Sequence, residues 1–403
     1  MSQFTAGLPP RYDALAPEVV LDPYPTYRRL REAGPLCRVG PGSWGVTRHA
    51  DVSALMRDPR LSHDFPEEYL DLSINSGPSA DMMRRVLTRY EPPEHTRLRK
   101  LIGGAFSPTL VRRLSAELPP IVDGLLDAAL ERGEFDAVTD FALPLTVSVI
   151  ATFIGLPVRD VSEIPRATEF GRAAAPFMMV EEGGASAIDD AVTGLRELIS
   201  ARLDVPDRAV GDDLISRMVA ARDGGDRLTR QEIVDNAVLT FFAGFETSLC
   251  LIGTGCAALL EHHDQLALLR ADRSLIPRAI EEFLRFEAPI QGSPRVAIDN
   301  VEVGGRTIRK GRIVLLMLGS ANRDETVFAD PDRLDVTRNP NPHVAFGGGP
   351  HFCLGSSLSR AEAAVVFDRL LARCGRMEAA GEAVREPSSS FRSWASVPVS
   401  VGR

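Results

Sequence analysis

Between Ala237 and Leu260 the chain is almost entirely apolar, and a run of that length allows two structures: a bilayer span, or a helix through the middle of a large core. Glu246 stands at its centre and the flanks carry no lysine–arginine bias to set an orientation, so the core helix is expected. Its start is marked. Thr229 three residues before Glu232 is a capping box, with Leu228 and Ile233 as the hydrophobic staple, so a helix is predicted to begin near residue 229. Burying such a helix takes many others around it, and 403 residues suffice for that and for a bulky cofactor besides.

Helical periodicity recurs over 109–132, 140–155, 187–203, 212–222, 274–287 and 356–374. Strand signals are confined to Leu36–Thr47, around Gly40-Pro41-Gly42, to Val296–Leu316, around Gly304-Gly305 and Gly311, and to a weak pair beyond Met377. No repeat, low-complexity linker or shift in composition divides the chain, so the expected architecture is mainly α with a minor β part, one large helix-rich domain over 1–403. A net charge of −9 argues against nucleic acid or anionic lipid as partner. Five scattered cysteines without CxxC spacing argue against a disulfide framework or a thiolate zinc site, and the first ten residues have no secretory pattern; the cytoplasm is expected.

The segment richest in chemistry is Phe346-Gly347-Gly348-Gly349-Pro350-His351-Phe352-Cys353-Leu354-Gly355, which runs into the helix beginning near Ser356. Glycines let backbone approach something flat and bulky, and the N-terminus of the following helix favours a thiolate. Taken singly, a cysteine beside a helix is a small hydrophobe and a glycine run is a loop. A standard phosphate loop is excluded, because no Gly-Lys-Ser/Thr follows.

Jointly, Phe346 seven before the cysteine, Gly349 four before, His351 two before and Gly355 two after resemble the haem-binding signature of the cytochrome P-450 family. The resemblance runs from about residue 20 to the end of the chain. It implies the P-450 fold, haem b as cofactor and Cys353 as axial iron ligand, an electron-rich sulfur that favours O–O cleavage. It implies further that backbone N–H groups of the loop, which needs small residues such as Gly347 and Gly355, tune the sulfur, and that Phe346 packs against the loop.

Ala243-Gly244-Phe245-Glu246-Thr247 in the long helix is similar to the family's oxygen-activating segment, with Glu where many members have Asp. By itself the acid reads as a structural carboxylate; with the cysteine loop, Thr247 is implied to bond dioxygen or a nearby water, Glu246 to relay protons, and Gly244 to loosen the helix where oxygen must fit. Glu282 and Arg285, three apart, resemble the family's folding pair, with a third partner from the stretch Asn322 to Arg338; Glu325 stands where many bacterial members have Pro. His95 and Arg99 share a helical face, and with Arg295 and His351 they are the implied donors to the haem propionates, whereas Arg97 is expected to be a solvated charge.

The activity implied is insertion of one oxygen atom from O2 into a C–H or C=C bond of a small, moderately apolar organic molecule, such as a secondary metabolite. No Gly-x-Gly-x-x-Gly motif opens a helix after a strand, so the two electrons come from outside, from a ferredoxin or flavodoxin with its reductase. Arg97, Lys100, Arg112 and Arg113 are candidates to receive that donor. The protein is expected to work as a monomer, without membrane or nucleic acid. Implied pocket regions are Ser62–Tyr90, Phe170–Gly184, Leu239–Thr247, Ile290–Ser293 and Ser388–Trp394, with Leu239, Ala243, Ile290, Gln291 and Phe391 as candidate lining residues. Two rival readings remain, a peroxide-driven haem-thiolate peroxygenase and a haem- or ligand-binding protein without turnover.

Overall fold

Local signals in the sequence set most element boundaries. A computed structural model describes residues 8–67, 77–156, 185–205, 211–388 and 391–402. In chain order the helices are α1 (Pro17–Leu21), α2 (Tyr24–Ala33), α3 (His49–Leu55), α4 (Pro78–Met83), α5 (Glu94–Ala105), α6 (Pro108–Arg132) and α7 (Leu143–Ile154). They continue as α8 (Ala185–Asp204), α9 (Leu214–Ala220), α10 (Arg230–Glu261), α11 (His263–Ala271), α12 (Ile276–Phe286), α13 (Leu318–Ala321) and α14 (Ser356–Arg373). The predicted capping box forms: Thr229 Oγ1 accepts from the Glu232 N–H at 3.2 Å and Glu232 Oε2 accepts from the Thr229 N–H at 2.7 Å.

The described chain divides into two compact units. The first comprises Met1–His63, Glu281–Cys353 and Glu386–Arg392. Its sheet has the order β1-β2-β8-β5-β3, where β1 is Leu36–Gly40, β2 Ser43–Val46, β3 Leu61–Ser62, β5 Ser293–Ala297 and β8 Ile313–Leu316. Only β2 and β8 run parallel. Strands β6 (Val301–Val303) and β7 (Arg306–Ile308) form a separate hairpin on Gly304 and Gly305. Both have positive φ, 57° and 76°, as the tight hairpin turn that follows strand twist requires. Val46, Val52, Val314 and Leu316 are fully buried at the centre of this unit's core.

The second unit comprises Asp64–Ile280, Leu354–Arg385 and Ser393–Arg403, and α10 is its axis. It packs against α7, α8 and α14, and α14 packs in turn on α6. Two segments, Ala137–Ile154 and α10, are apolar and long enough to cross a bilayer, but each is 72% buried, so that apolar surface is used in the core. A sheet of order β4-β12-β9 (Glu134–Asp136, Pro398–Gly402, Arg376–Ala379) and the pair β10 and β11 (Val384–Arg385, Trp394–Ser396) complete the unit. Strands β3 and β4 lie outside the strand regions the sequence predicts. The predicted helix over 140–155 starts as a π-helical turn, Ala137–Ala142, capped by the Asp136 carboxylate.

Candidate active site

The cysteine loop belongs to the first unit, and two glycines make its turns, Gly347 at φ 71° and Gly349 at φ 67°. At Gly349 a Cβ would stand 2.6 Å from the carbonyl oxygen of Met56, so glycine is required there. The loop closes on itself: the Gly347 N–H donates to Val344 O (2.9 Å), the Phe352 N–H to Gly349 O (3.1 Å) and the Cys353 N–H to Phe346 O (2.9 Å). The Phe346 ring packs against the loop as expected, 6.3 Å from that of Phe352. Cys353 is exposed, whereas Cys37, Cys250, Cys256 and Cys374 are buried. Burial pushes the Cys37 and Cys256 thiols up to about 12, which makes them inert small hydrophobes. A Cβ at Gly355 would meet nothing within 4 Å, and one at Gly347 only His351 O at 3.9 Å. An exposed sulfur in a glycine-built loop with open space at Gly347 would suit a flat iron-bearing group held by that sulfur.

A buried polar cluster in the same unit fixes this loop. Glu282 and Arg285 are both 0% exposed and meet in a fork, 2.7 and 2.8 Å. The carboxylate also takes Arg338 (3.1 Å), the Asn341 amide (3.2 Å) and the Asp335 N–H (2.9 Å). Arg338 is thus the third partner, from the stretch the sequence singled out. Arg285 donates onward to the carbonyls of Asn322 (3.1 Å) and Pro331 (2.8 Å). Asn322, fully buried, accepts the Val344 N–H on Oδ1 at 2.8 Å. A continuous path therefore runs from the ion pair through Asn322 and Val344 to Gly347 and the cysteine turn. Asn322 was seen in the sequence only as part of a stretch; nothing there marked it as the link. Glu325 pairs with the buried Arg31 at 2.9 Å.

The acid–alcohol segment lies on α10 in the second unit. Glu246 and Thr247 are half-buried, and Thr247 Oγ1 donates to Ala243 O at 2.7 Å. The expected loosening at Gly244 is corrected: α10 is helical without interruption from Arg230 to Glu261. Gly244 serves packing instead, because a Cβ there would stand 2.5 Å from Ile150 Cδ1 of α7. His95 is buried and Arg99 half-buried on one face of α5. Arg97 is not a solvated charge. It pairs with Glu94, Asp226 and Glu232, so the residue that caps α10 also ties it to α5. Three of the four candidates for a basic docking face, Arg97, Lys100 and Arg113, carry ion pairs. Lys100 is paired with Asp223, and Arg113 lies near Asp212 and Glu117; Arg112 is exposed and forms no ion pair among the described residues.

Of the remaining expected residues, Arg295 (5% exposed) donates to Ser293 Oγ (2.7 Å) and Pro294 O (2.8 Å) in the first unit. His351 of that unit stacks on His63, ring centroids 3.8 Å apart, a neighbour that no sequence signal indicated. Ile290 and Phe391 are brought together by a β-bridge. The Gln291 amide is engaged at both ends, accepting from Tyr27 Oη (3.2 Å) and donating to Ala288 O (2.7 Å). Leu239 is buried on α10 and Ala243 half-buried one turn on. The expected pocket region 170–184 lies outside the described residues, as do parts of those at 62–90 and 388–394.

The model of the Cytochrome P-450 family matches residues 185–388. The vitamin D(3) 25-hydroxylase of Pseudonocardia autotrophica is 36% identical over 395 residues, 94% of each chain. The 6-deoxyerythronolide B hydroxylase of Saccharopolyspora erythraea is 37% identical over 367 residues, covering 88% of this chain and 89% of that one. Among solved structures, cytochrome P-450 CYP109Q5 from Chondromyces apiculatus superposes with a TM-score of 0.88 at 32% identity, over 97% of this chain and 98% of that one. The chain belongs to the cytochrome P-450 family of haem-thiolate monooxygenases.

Proposed function

We propose that this chain hydroxylates or epoxidises a small, moderately apolar secondary metabolite, with haem b held by Cys353 and electrons from a ferredoxin or flavodoxin and its reductase. We place it in the cytoplasm as a monomer. The observation that carries the reading is the exposed Cys353 thiol in its glycine-built loop. The hydroxylase names of two relatives support the reaction type.

When bound, the haem supplies the iron at which dioxygen is reduced. Cys353 ligates it as the thiolate, and the Cys353 N–H held on Phe346 O keeps the loop in register behind the sulfur. His95, Arg99, Arg295 and His351 bind the propionates through charge-assisted hydrogen bonds. Ala243 leaves room beside the haem, Gly244 seats that turn of α10 against Ile150, and Leu239, Ala243, Ile290 and Phe391 offer apolar surface to substrate. Thr247 holds a proton at Oγ1, resting on Ala243 O, and Glu246 replenishes it from solvent.

Thr247→Ala tests the proton role. Haem binding stays intact, but product formed per reduced nicotinamide falls and hydrogen peroxide rises, because the proton held at Thr247 Oγ1 is no longer supplied. An unchanged ratio overturns the role of Thr247. Full turnover by wild type with peroxide alone, and none with the redox partners, would favour the peroxygenase.

A further inference from the structure

Two short segments of the first unit meet at one residue pair. Residues 287–291 follow α12, Phe391 and Arg392 come from near the end of the chain, and an isolated β-bridge joins Ile290 to Phe391. The Arg392 N–H donates to Pro289 O at 2.9 Å. A bridge of one residue pair fixes little by itself. Beside it lies a buried ion pair: Arg392 and Glu287 are 5% and 6% exposed, and Nε and Nη2 of the guanidinium both donate to Glu287 Oε1, at 3.1 and 2.9 Å. The same guanidinium donates to Val20 O (2.8 Å) and Leu21 O (3.2 Å), the last carbonyls of α1, which that helix cannot satisfy itself.

The two sides of the bridge are unequally held. On the Ile290 side, the Glu287 N–H continues α12 by donating to Phe283 O at 3.0 Å. The Gln291 amide is engaged by Tyr27 and Ala288, and Gln291 O accepts the Gly319 N–H at 3.0 Å. A Cβ at Gly319 would stand 2.1 Å from Gln291 Oε1, so that amide is closely enclosed. On the other side, the Phe391 N–H donates to Ser388 Oγ at 3.1 Å, a contact within its own segment. The side-chain link from the Phe391 segment to the rest of the unit is therefore Arg392, through Glu287 and α1.

We propose that Glu287 and Arg392 are positioning residues for substrate selection: the pair sets where the Phe391 ring stands beside Ile290, and so the shape of the apolar wall that a bulky substrate meets. The inference rests on the proposed lining role of Ile290 and Phe391. Loss of either charge strands the other in a buried site, where it must draw in water or turn outward, and the Phe391 backbone moves with it. Substrates too small to reach the wall are unaffected.

The test titrates haem-loaded wild type, Glu287→Gln, Arg392→Lys and Phe391→Ala with two azoles and reads the absorbance shift on ligation. Imidazole needs only the iron, whereas 4-phenylimidazole also needs apolar space beside it. In both pair variants the Kd of 4-phenylimidazole should rise about tenfold relative to that of imidazole, the order of a misplaced apolar contact. Arg392→Lys keeps the charge, but one ammonium cannot serve Glu287 and both carbonyls as the guanidinium does, and this variant carries the test if Glu287→Gln does not fold. A pair that only stabilises the fold lowers Tm and leaves the ratio of the two constants at its wild-type value, and that result overturns the proposal. Phe391→Ala should raise the ratio by the same order. If Phe391→Ala leaves it unmoved while the pair variants raise it, the lining role of Phe391 fails and control of the pocket by the pair stands; if no variant moves it, both fail.

Discussion

Replacing Glu282 with Gln keeps the side-chain shape and removes one negative charge from the centre of the buried cluster. Arg285, at 0% exposure, then has carbonyl acceptors but no anion, and Arg338 loses its only carboxylate among the described residues. The new amide also turns donors toward Arg285, the Asp335 N–H and Asn341, all of which are donors already. Breaking a buried pair by removing one partner costs about 3–5 kcal/mol. A 403-residue chain with ordinary unfolding entropy should then lose about 4–6 °C of Tm. Part of the damage should reach the cysteine, because Arg285 holds Asn322 O and Asn322 holds Val344. Thermal melts of the haem-loaded protein, with carbon monoxide spectra of the reduced form, measure both effects. Expected are the lower Tm and a larger share of haem without the thiolate signature. Replacing both residues, Glu282→Leu with Arg285→Met, should do less harm than the single change, since the fully buried charge of Arg285 leaves with its partner and only the partly exposed Arg338 stays without a carboxylate. An unchanged Tm and spectrum in Glu282→Gln would refute the reasoning.

His95→Ala and Arg99→Ala should each speed transfer of haem to an apoprotein trap, a loss of roughly 1.5–3 kcal/mol per charge-assisted donor. Arg97→Ala should leave that rate unchanged while lowering stability by about 1 kcal/mol, since its carboxylate partners are partly exposed. Burial of Glu362 on α14 makes stability depend on pH. Its folded value, about 8, lies above the ordinary 4.5, so the folded chain holds a proton the unfolded chain releases. The resulting stability is complete below pH 4.5 and is lost as pH rises through about 8. Denaturant melts should show Glu362→Gln gaining on wild type by on the order of 4 kcal/mol between pH 5 and 9; parallel curves would contradict the assignment.

Much of this was legible in the chain because the signals are local. The capping box at Thr229 and the Gly304-Gly305 turn each determine backbone within a few residues, and both appear where predicted. The cysteine signature is local too. Strands β3 and β4, two and three residues long, exist only through pairing with distant segments, so no alternation announced them. Gly244 looked like a helix loosener because its neighbour Ile150 is nearly a hundred positions away. Arg97 looked solvated because its acids Asp226 and Glu232 lie far along the chain. Glu362 stands between Ala361 and Ala363 in an ordinary helix, and only the packing of α10 on α14 makes its carboxyl unusual.

The central claim is that Cys353, and no other cysteine, ligates the haem iron as a thiolate. The most direct measurement is the Soret band of the reduced protein under carbon monoxide, for wild type and for Cys353→Ser. Wild type should show the strongly red-shifted band of thiolate ligation, and Cys353→Ser should lose it even where haem is retained. Persistence of the red-shifted band in Cys353→Ser would contradict the account.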